Sequence, residues 1–333
     1  MLTGALVIPL QSCGGQTAPL PADWTSPGIE VLASGVGEPG TLAVQQNSVW
    51  WINLQEGGVL QLPLLAPSPI QRVSGLSTPK SLALDGADLF WLDATGVVHC
   101  SLPICADRRS LTATDPSSNG LALDADRVYW IDRSHVLSCP RSGCDAGGPD
   151  VLAAGEDIFY TAIRPLALDE ANIYWVRQGG VAVSIPKTGG APRVVATGGP
   201  NYISGVAVDT STIYWIAFDL RGSDFSGELL RAPIVGGATT VLDTFQGVAY
   251  DLAVDDQNVY FTANVGPADA AMANDGNNGI VKAVDKHGGA SAAAAFLAQG
   301  EINPSSIAVD GAKVYWASSG PSGATGTIKR VDR

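Results

Sequence analysis

Charge is scarce in this chain. Asp, Glu, Lys and Arg make up 15% of its 333 residues, with 19 basic against 32 acidic residues, for a formal net charge of -13. So little positive charge excludes nucleic acid as a partner, because an acidic protein repels phosphate. No apolar run reaches the ~20 residues that a spanning helix needs, which argues against a polytopic membrane protein. Long helical stretches are missing too, since 39 Gly and 21 Pro interrupt the chain too often for a helical bundle. Disorder is excluded by the 46% of hydrophobic residues. What remains is a turn-rich, soluble, acidic β protein.

A repeat dominates what is present. One phrase recurs seven times: LAVQQNSVWW from Leu42, LALDGADLFW from Leu82, LALDADRVYW from Leu121, LALDEANIYW from Leu166, VAVDTSTIYW from Val206, LAVDDQNVYF from Leu252 and IAVDGAKVYW from Ile307. Its alanines are spaced by 40, 39, 45, 40, 46 and 55 residues, close to the period of a propeller blade. The LALD piece ends in a turn former, and a β-branched and aromatic run follows three residues later, so the pair reads as a tight hairpin. A third run (GVVHCSL, GVAVSIP, GTIKRVD) and a fourth (DVLAAG, PRVVATG) complete each unit. The Ala-rich AAAAFLAQG is ambiguous, because Ala favours helix where the register demands a strand. The seventh unit ends after three strands, and IEVLAS at Ile29–Ser34 supplies the missing one. The expectation is an all-β β-propeller of seven four-stranded blades over residues 29–333, closed by an N-terminal strand that removes the open edges.

YWID at Tyr129–Asp132 and FWLD at Phe90–Asp93 resemble the YWTD repeats of the low-density lipoprotein receptor family. The LAxD…YW frame is also similar to NHL and TolB-like propellers. The resemblance spans about residues 29–331 and implies a propeller without specifying a function. YWTD propellers have six blades, the first unit carries Gln45 in place of Asp, and the sixth carries Phe261 in place of Trp, so six and eight blades stay open.

A residue needed once per blade solves a once-per-blade problem. Trp51, Trp91, Trp130, Trp175, Trp215 and Trp316, with the tyrosines before five of the repeat's aromatic positions, are expected to fill the wedges between sheets rather than form a ligand cage. Asp85, Asp124, Asp169, Asp209, Asp255 and Asp310 are expected to cap their own hairpins rather than ring a metal.

Five cysteines bear on compartment. Cys100 and Cys105, and Cys139 and Cys144, each enclose four residues after a third strand, which favours two local disulfides and an oxidising compartment over a four-cysteine zinc site. The fifth, Cys13, follows an apolar stretch, and LQSC resembles the cleavage box of bacterial lipoproteins, in which the cysteine is lipidated. Residues 1–13 then form a signal and residues 14–28 a flexible tether. No Lys or Arg precedes Arg72, so the charged start of a signal is missing, and either the start lies upstream or the segment is an apolar tail. The expected location is extracytoplasmic, periplasmic or on the outer surface, through a lipid anchor.

Catalytic motifs are absent: no Walker A, HExxH or GxSxG occurs, no dinucleotide fingerprint occurs in a strand–helix context, the Gly-rich stretches reading as turns, and none of the three histidines starts an inner strand. The informative places are where the repeats disagree. Two loops after the aromatic strand are long, residues 218–227 and 263–279, and form the expected partner surface, with Asp219, Arg221, Asp224, Asp269, Asn274, Asp275, Asn277 and Asn278 as contact residues. Asp269, Asn274, Asp275 and Asn277 also offer oxygen to Ca²⁺, without the spacing of a known calcium loop; a plain solvated loop is the competing reading. Around the expected channel mouth lie Lys80, Asn119, Arg164, Asn201, Tyr250, Asp251 and Asn303. The two cations suit an anionic ligand unless each pairs with a carboxylate. The leading expectation is a monomeric, non-catalytic scaffold for an envelope protein or a small ligand, without a cofactor. The alternatives are a metal-dependent lyase or lactonase with its site at that mouth, and a purely structural envelope protein.

Overall fold

The computed structural model describes residues 28–66, 68–115, 117–158, 163–221, 225–266, 277–289, 294–320 and 325–333. Every regular element among them is a β-strand. The fourth unit shows the plan. Leu166–Leu168, Asn172–Arg177, Val181–Pro186 and Arg193–Thr197 form one antiparallel sheet in chain order, from the inside outward. Five sheets have four strands, and a sixth has seven.

The seven-stranded sheet departs from the sequence expectation of separate units. Its middle strand, Thr240–Val254, pairs through Thr240–Gln246 with Ser226–Pro233 and through Gly247–Val254 with Asn258–Val265. No Pro or turn pair divides DTFQGVAYD, so the chain passes between the two pairings without a loop. Gly247 permits it: φ is 144°, and a Cβ there would lie 2.0 Å from the Asn264 carbonyl oxygen. The Ala-rich segment that read ambiguously is a strand, Ala295–Glu301.

The consecutive aromatics explain why the sheets stand against one another. Neighbouring residues on a strand face opposite sides, so each YW pair sends one ring to either side of its sheet. Tyr129 packs in the same core cluster as Trp175, Tyr174 with Trp215, and Tyr260 with Trp316. Tyr315 of the last unit meets Trp51 of the first. All six tryptophans of the series are fully buried. An aromatic burying about 200 Å² contributes roughly 5 kcal/mol of gross hydrophobic stabilisation, so the cores between sheets dominate the fold.

The two ends of the chain meet in one sheet. Glu30–Ser34 pairs antiparallel with Thr327–Asp332, Glu30 opposite Arg330 and Ser34 opposite Thr327. Glu30 and Arg330 add an ion pair at 2.8 Å. The inner strand of the first unit, Pro39–Gln45, lies between those of the second, Ser81–Asp85, and the last, Pro304–Val309. The architecture is a β-propeller.

Cys100 is bonded to Cys105 and Cys139 to Cys144. Local pairing uses all four sulfurs, so the zinc alternative falls. The two disulfides are consistent with an extracytoplasmic location. Cys13, with the rest of the expected signal and residues 14–27 of the tether, lies outside the described residues.

Candidate functional site at the axis

The hairpin aspartates do not form a ring of ligands. Asp124 Oδ1 accepts hydrogen bonds from the Asp126 and Arg127 amides at 3.0 and 2.8 Å, while Oδ2 accepts from the Tyr129 hydroxyl at 2.8 Å and pairs with Lys187 of the next unit at 3.0 Å. Burial pushes this carboxyl up, but the bonds from Tyr129, the two amides and Lys187 outweigh it and hold the pKa at about 2. The same two amides and tyrosine recur at Asp169, Asp209, Asp255 and Asp310. Among the described residues no three His, Cys, Asp or Glu side chains gather into a metal-binding group.

The axis is built differently. Arg164 enters just before the inner strand of the fourth unit, where Pro165 keeps the backbone extended. Its side chain crosses to the sixth unit and donates from Nε to both oxygens of Asp251, at 3.0 and 3.2 Å. Its Nη2 donates to the carbonyls of Leu42 and Ile307, both at 3.0 Å. One guanidinium thus ties four units together. Asp251 has no exposed surface and also accepts from the Ser306 hydroxyl at 2.8 Å, the Ile307 amide at 3.0 Å and the Leu252 amide at 2.9 Å. Burial raises the Asp251 carboxyl above its ordinary range, and Arg164 with those three bonds lessens the rise without cancelling it. All its partners donate, which is the environment of a carboxylate. Arg164 also lines a cavity of about 420 Å³, walled otherwise by small and aliphatic residues of the inner strands.

The other channel-mouth residues do not converge on one point. Lys80 Nζ donates to the Ser118 carbonyl at 3.0 Å, and nearly buried Asn119 opens the strand Asn119–Leu123. Asn303 and Tyr250 both meet the buried Asn264, whose Nδ2 donates to Asn303 Oδ1 at 2.7 Å and to the Tyr250 hydroxyl at 3.0 Å. Asn201 lies beside Arg221, its oxygen accepting from Nη2 at 2.5 Å when the amide is so oriented. Arg221 in turn grips Asp219, with Nη2 to Oδ2 at 2.6 Å. In the sixth unit's loop Asn277 is exposed, and Asn278 Nδ2 donates to the Val265 carbonyl at 3.1 Å. Asp224, Asp269, Asn274 and Asp275 lie outside the described residues. Sequence reasoning missed Ser306 and Asn264. Ser306 lies three residues past Asn303, one of the residues expected at the channel mouth, but nothing in its own context marks it.

The comparisons with known proteins agree on the fold and on little else. No protein-family model and no curated protein matches the chain. The WD40 domain of Neurospora crassa Pan2 matches over 93% of this chain and 98% of that one, at 8% identity and a TM-score of 0.64. The computationally designed Ika8 protein matches over 90% and 98%, at 11% identity and a TM-score of 0.57. A calcium-binding protein, regucalcin, from Agrobacterium tumefaciens matches over 71% and 85%, at 14% identity and a TM-score of 0.49. At these identities the likeness to the first two shows the fold and nothing of its use.

Proposed function

We propose that the chain is a seven-bladed, exported, lipid-anchored propeller that serves as a non-catalytic, monomeric binding scaffold for an envelope protein or a small ligand. Seven blades follow if Thr240–Val254 is counted twice, as the outer strand of one blade and the inner strand of the next. The disulfides support export, and the LQSC sequence supports anchoring through Cys13. The binding surface is the face carrying residues 218–227 and 263–279, where Asp219 and Arg221 present an ordered polar edge; Ca²⁺ at Asp269, Asn274, Asp275 and Asn277 is a property of that face to be tested.

The observation that carries the reading is the tie between Arg164 and Asp251. Two of the residues best placed to recruit an axial ligand are bonded to each other and to backbone groups of three units. Such a tie stiffens the frame that positions the loops. The lyase or lactonase alternative requires Asp251 to leave that tie.

The test is crosslinking capture from the native envelope with three proteins: the intact chain, a chain whose 263–279 loop is cut to a tight turn, and Arg164→Met. A defined partner held by the first and third and lost by the second supports the scaffold. Loss with Arg164→Met alone, at unchanged folding, moves the site to the axis and overturns it.

A further inference from the structure

The three most exposed large apolar side chains among the described residues are Leu65, Ile104 and Val235, at 94%, 80% and 79% exposure. Each stands at the same place in its unit, in the hairpin between the third and fourth strands. There the residue just past the third strand donates its amide to the turn of the unit's first hairpin: Leu64 to Asn47, Leu102 to Ala87 and Ile234 to Ser211. The other units do the same, Arg141 to Asp126, Lys187 to Ala171, Lys286 to Gln257 and Arg333 to Ala312. These hairpins therefore leave one face of the propeller, and three of them end in an uncovered hydrophobe.

Two of the three tips are clamped. Arg72, on the outer strand of the first unit, donates from Nη1 to the Pro103 carbonyl at 3.2 Å, and the Cys100–Cys105 bond closes the same hairpin around Ile104. Arg193, on the outer strand of the fourth unit, donates to the Ile234 and Val235 carbonyls at 2.6 and 2.9 Å. A side chain presented by a fixed backbone loses less freedom on contact. The inner strands neighbour one another in chain order and the last returns to the first, so the fifth unit lies three places from both the first and the second. Leu65 and Ile104 thus stand on one side of the ring and Val235 on the other. Prongs set apart in this way meet a flat apolar medium together, whereas a protein interface is built on one contiguous core.

The same face receives the chain. Glu30–Ser34 runs antiparallel to Thr327–Asp332 with Glu30 opposite Arg330, so the described chain begins at the Arg333 end of that sheet. A lipid on Cys13 therefore draws the domain by this face. The loops at 218–227 and 263–279 join second to third strands and leave from the opposite one. Charge on the tip face is largely met within it. Asp85, Asp124, Asp209 and Asp255 of the first-hairpin turns pair with Arg141, Lys187, Lys286 and Arg333 at 2.5, 3.0, 2.9 and 2.8 Å. With its cations so engaged, in a chain of net charge -13, the face has no excess of positive charge to draw it to anionic lipid.

We propose that Leu65, Ile104 and Val235 seat this face on the surface of a zwitterionic lipid bilayer, each side chain entering the boundary between headgroups and acyl chains. The orientation rests on the anchoring proposed above; the contact itself does not. The loops of the partner surface then point away from the membrane, and the prongs hold them there. Moving one aliphatic side chain of this size out of water favours the bound state by about tenfold or more.

The test uses the full chain as Cys13→Ser, which removes lipidation, in cosedimentation with phosphatidylcholine vesicles. The chain is expected to bind. Leu65→Ser, Ile104→Ser and Val235→Ser are each expected to weaken binding about tenfold, and the three together to abolish it at unchanged melting temperature. A nitroxide on Leu65→Cys is expected to be shielded from an aqueous relaxation agent by the vesicles. One on the exposed Gln178→Cys, between the second and third strands of the fourth unit, stays accessible. No binding to phosphatidylcholine, binding unchanged in the triple variant, or binding to phosphatidylglycerol vesicles alone overturns the proposal. So does self-association without vesicles that the triple variant abolishes, since a second copy would then cover the tips. None of these results touches the anchoring, which fails separately if the unmodified chain carries no lipid on Cys13.

Discussion

Units three to seven turn their first hairpin with a side chain; units one and two turn it with the backbone. In the five later units an aspartate accepts two turn amides and the hydroxyl of a tyrosine five residues on, as Asp209 does for Ser211, Thr212 and Tyr214 at 2.9 Å each. The first unit has Gln45 opposite Ser48, with Gln46 and Asn47 at φ of 49° and 56°. The second has Asp85 opposite Asp88, with Gly86 at φ of 59°. There the residue five on is Trp50 or Phe90, which has no hydroxyl to offer. Left-handed conformation replaces the carboxylate. Asp85, released from capping, serves the neighbouring sheet, pairing with Arg141 at 2.5 Å. The repeat's aspartate thus caps its own turn in the five later units, while in the second it pairs across to a neighbouring sheet instead.

The largest effect that separates the halves is loss of the carboxylate. Asp209→Ala strands two amides and the Tyr214 hydroxyl and takes the carboxylate from the nearly buried Lys286, whose Nζ lies 2.9 Å from Asp209 and keeps only the Asp255 carbonyl, also at 2.9 Å. Removing one partner of such a network is expected to cost about 3 kcal/mol. Asp85→Ala loses an exposed ion pair and is expected to cost below about 1 kcal/mol. Denaturant midpoints measure both. Equal costs would mean that the capping bonds add nothing to the inter-sheet pair.

Next comes the response to pH. The depressed carboxyls, Asp124 at about 2 with Asp169, Asp209 and Asp310 lowered alongside it, stabilise the fold fully above their unfolded value of about 3.9. That contribution is lost as pH falls from about 4 toward 2. The tyrosines shift the other way. Burial first, then the bond to Asp310 and its charge, push Tyr315 up to about 12, and Tyr129, Tyr174 and Tyr214 are raised for the same reasons. A raised acid keeps its proton in the fold, so this stability is complete below about pH 10 and lost as pH rises toward 12. Tyr315→Phe is expected to cost about 1 kcal/mol at neutral pH and to flatten part of the alkaline limb. Melting temperature against pH checks it, with Phe90 in the second unit as the natural counterpart that contributes no limb.

The period made the hairpin aspartates and the buried tryptophans legible, because each answers a demand that recurs in every unit. The closing strand was legible for the same reason: IEVLAS carries the pattern of the outer strands, and it pairs beside Thr327–Asp332. Features that occur once leave no period. Arg164 and Asp251 stand 87 residues apart, and their meeting depends on where the ring places two inner strands. Pairing of Arg164 with a carboxylate was an open reading of the channel mouth; that the carboxylate is Asp251 was not legible. The unbroken strand Thr240–Val254 shows the opposite failure, in which the repeat frame predicts a boundary that the local sequence never supplies.

The smallest expected effect gives the sharpest contrast, because its sign differs between the halves. Gln46 occupies a left-handed conformation that costs a non-glycine residue about 1–2 kcal/mol. Gln46→Gly removes that strain and returns part of the gain as unfolded-chain entropy, for a net stabilisation below about 1 kcal/mol. Gly86→Ala runs the exchange in reverse: a Cβ there meets nothing within 4 Å, so the expected loss of about 1 kcal/mol is conformational alone. Ala125 fills the place of Gln46 in the third unit, where the turn is held by Asp124 and the backbone is not left-handed. Ala125→Gly relieves nothing and adds only freedom to the unfolded chain, so it is expected to destabilise by about 0.5–1 kcal/mol. Thermal melts of the three variants decide the matter. If glycine stabilised both turns, the third unit's hairpin would be strained as well, and the carboxylate would be compensating for its turn rather than replacing the need for a left-handed one.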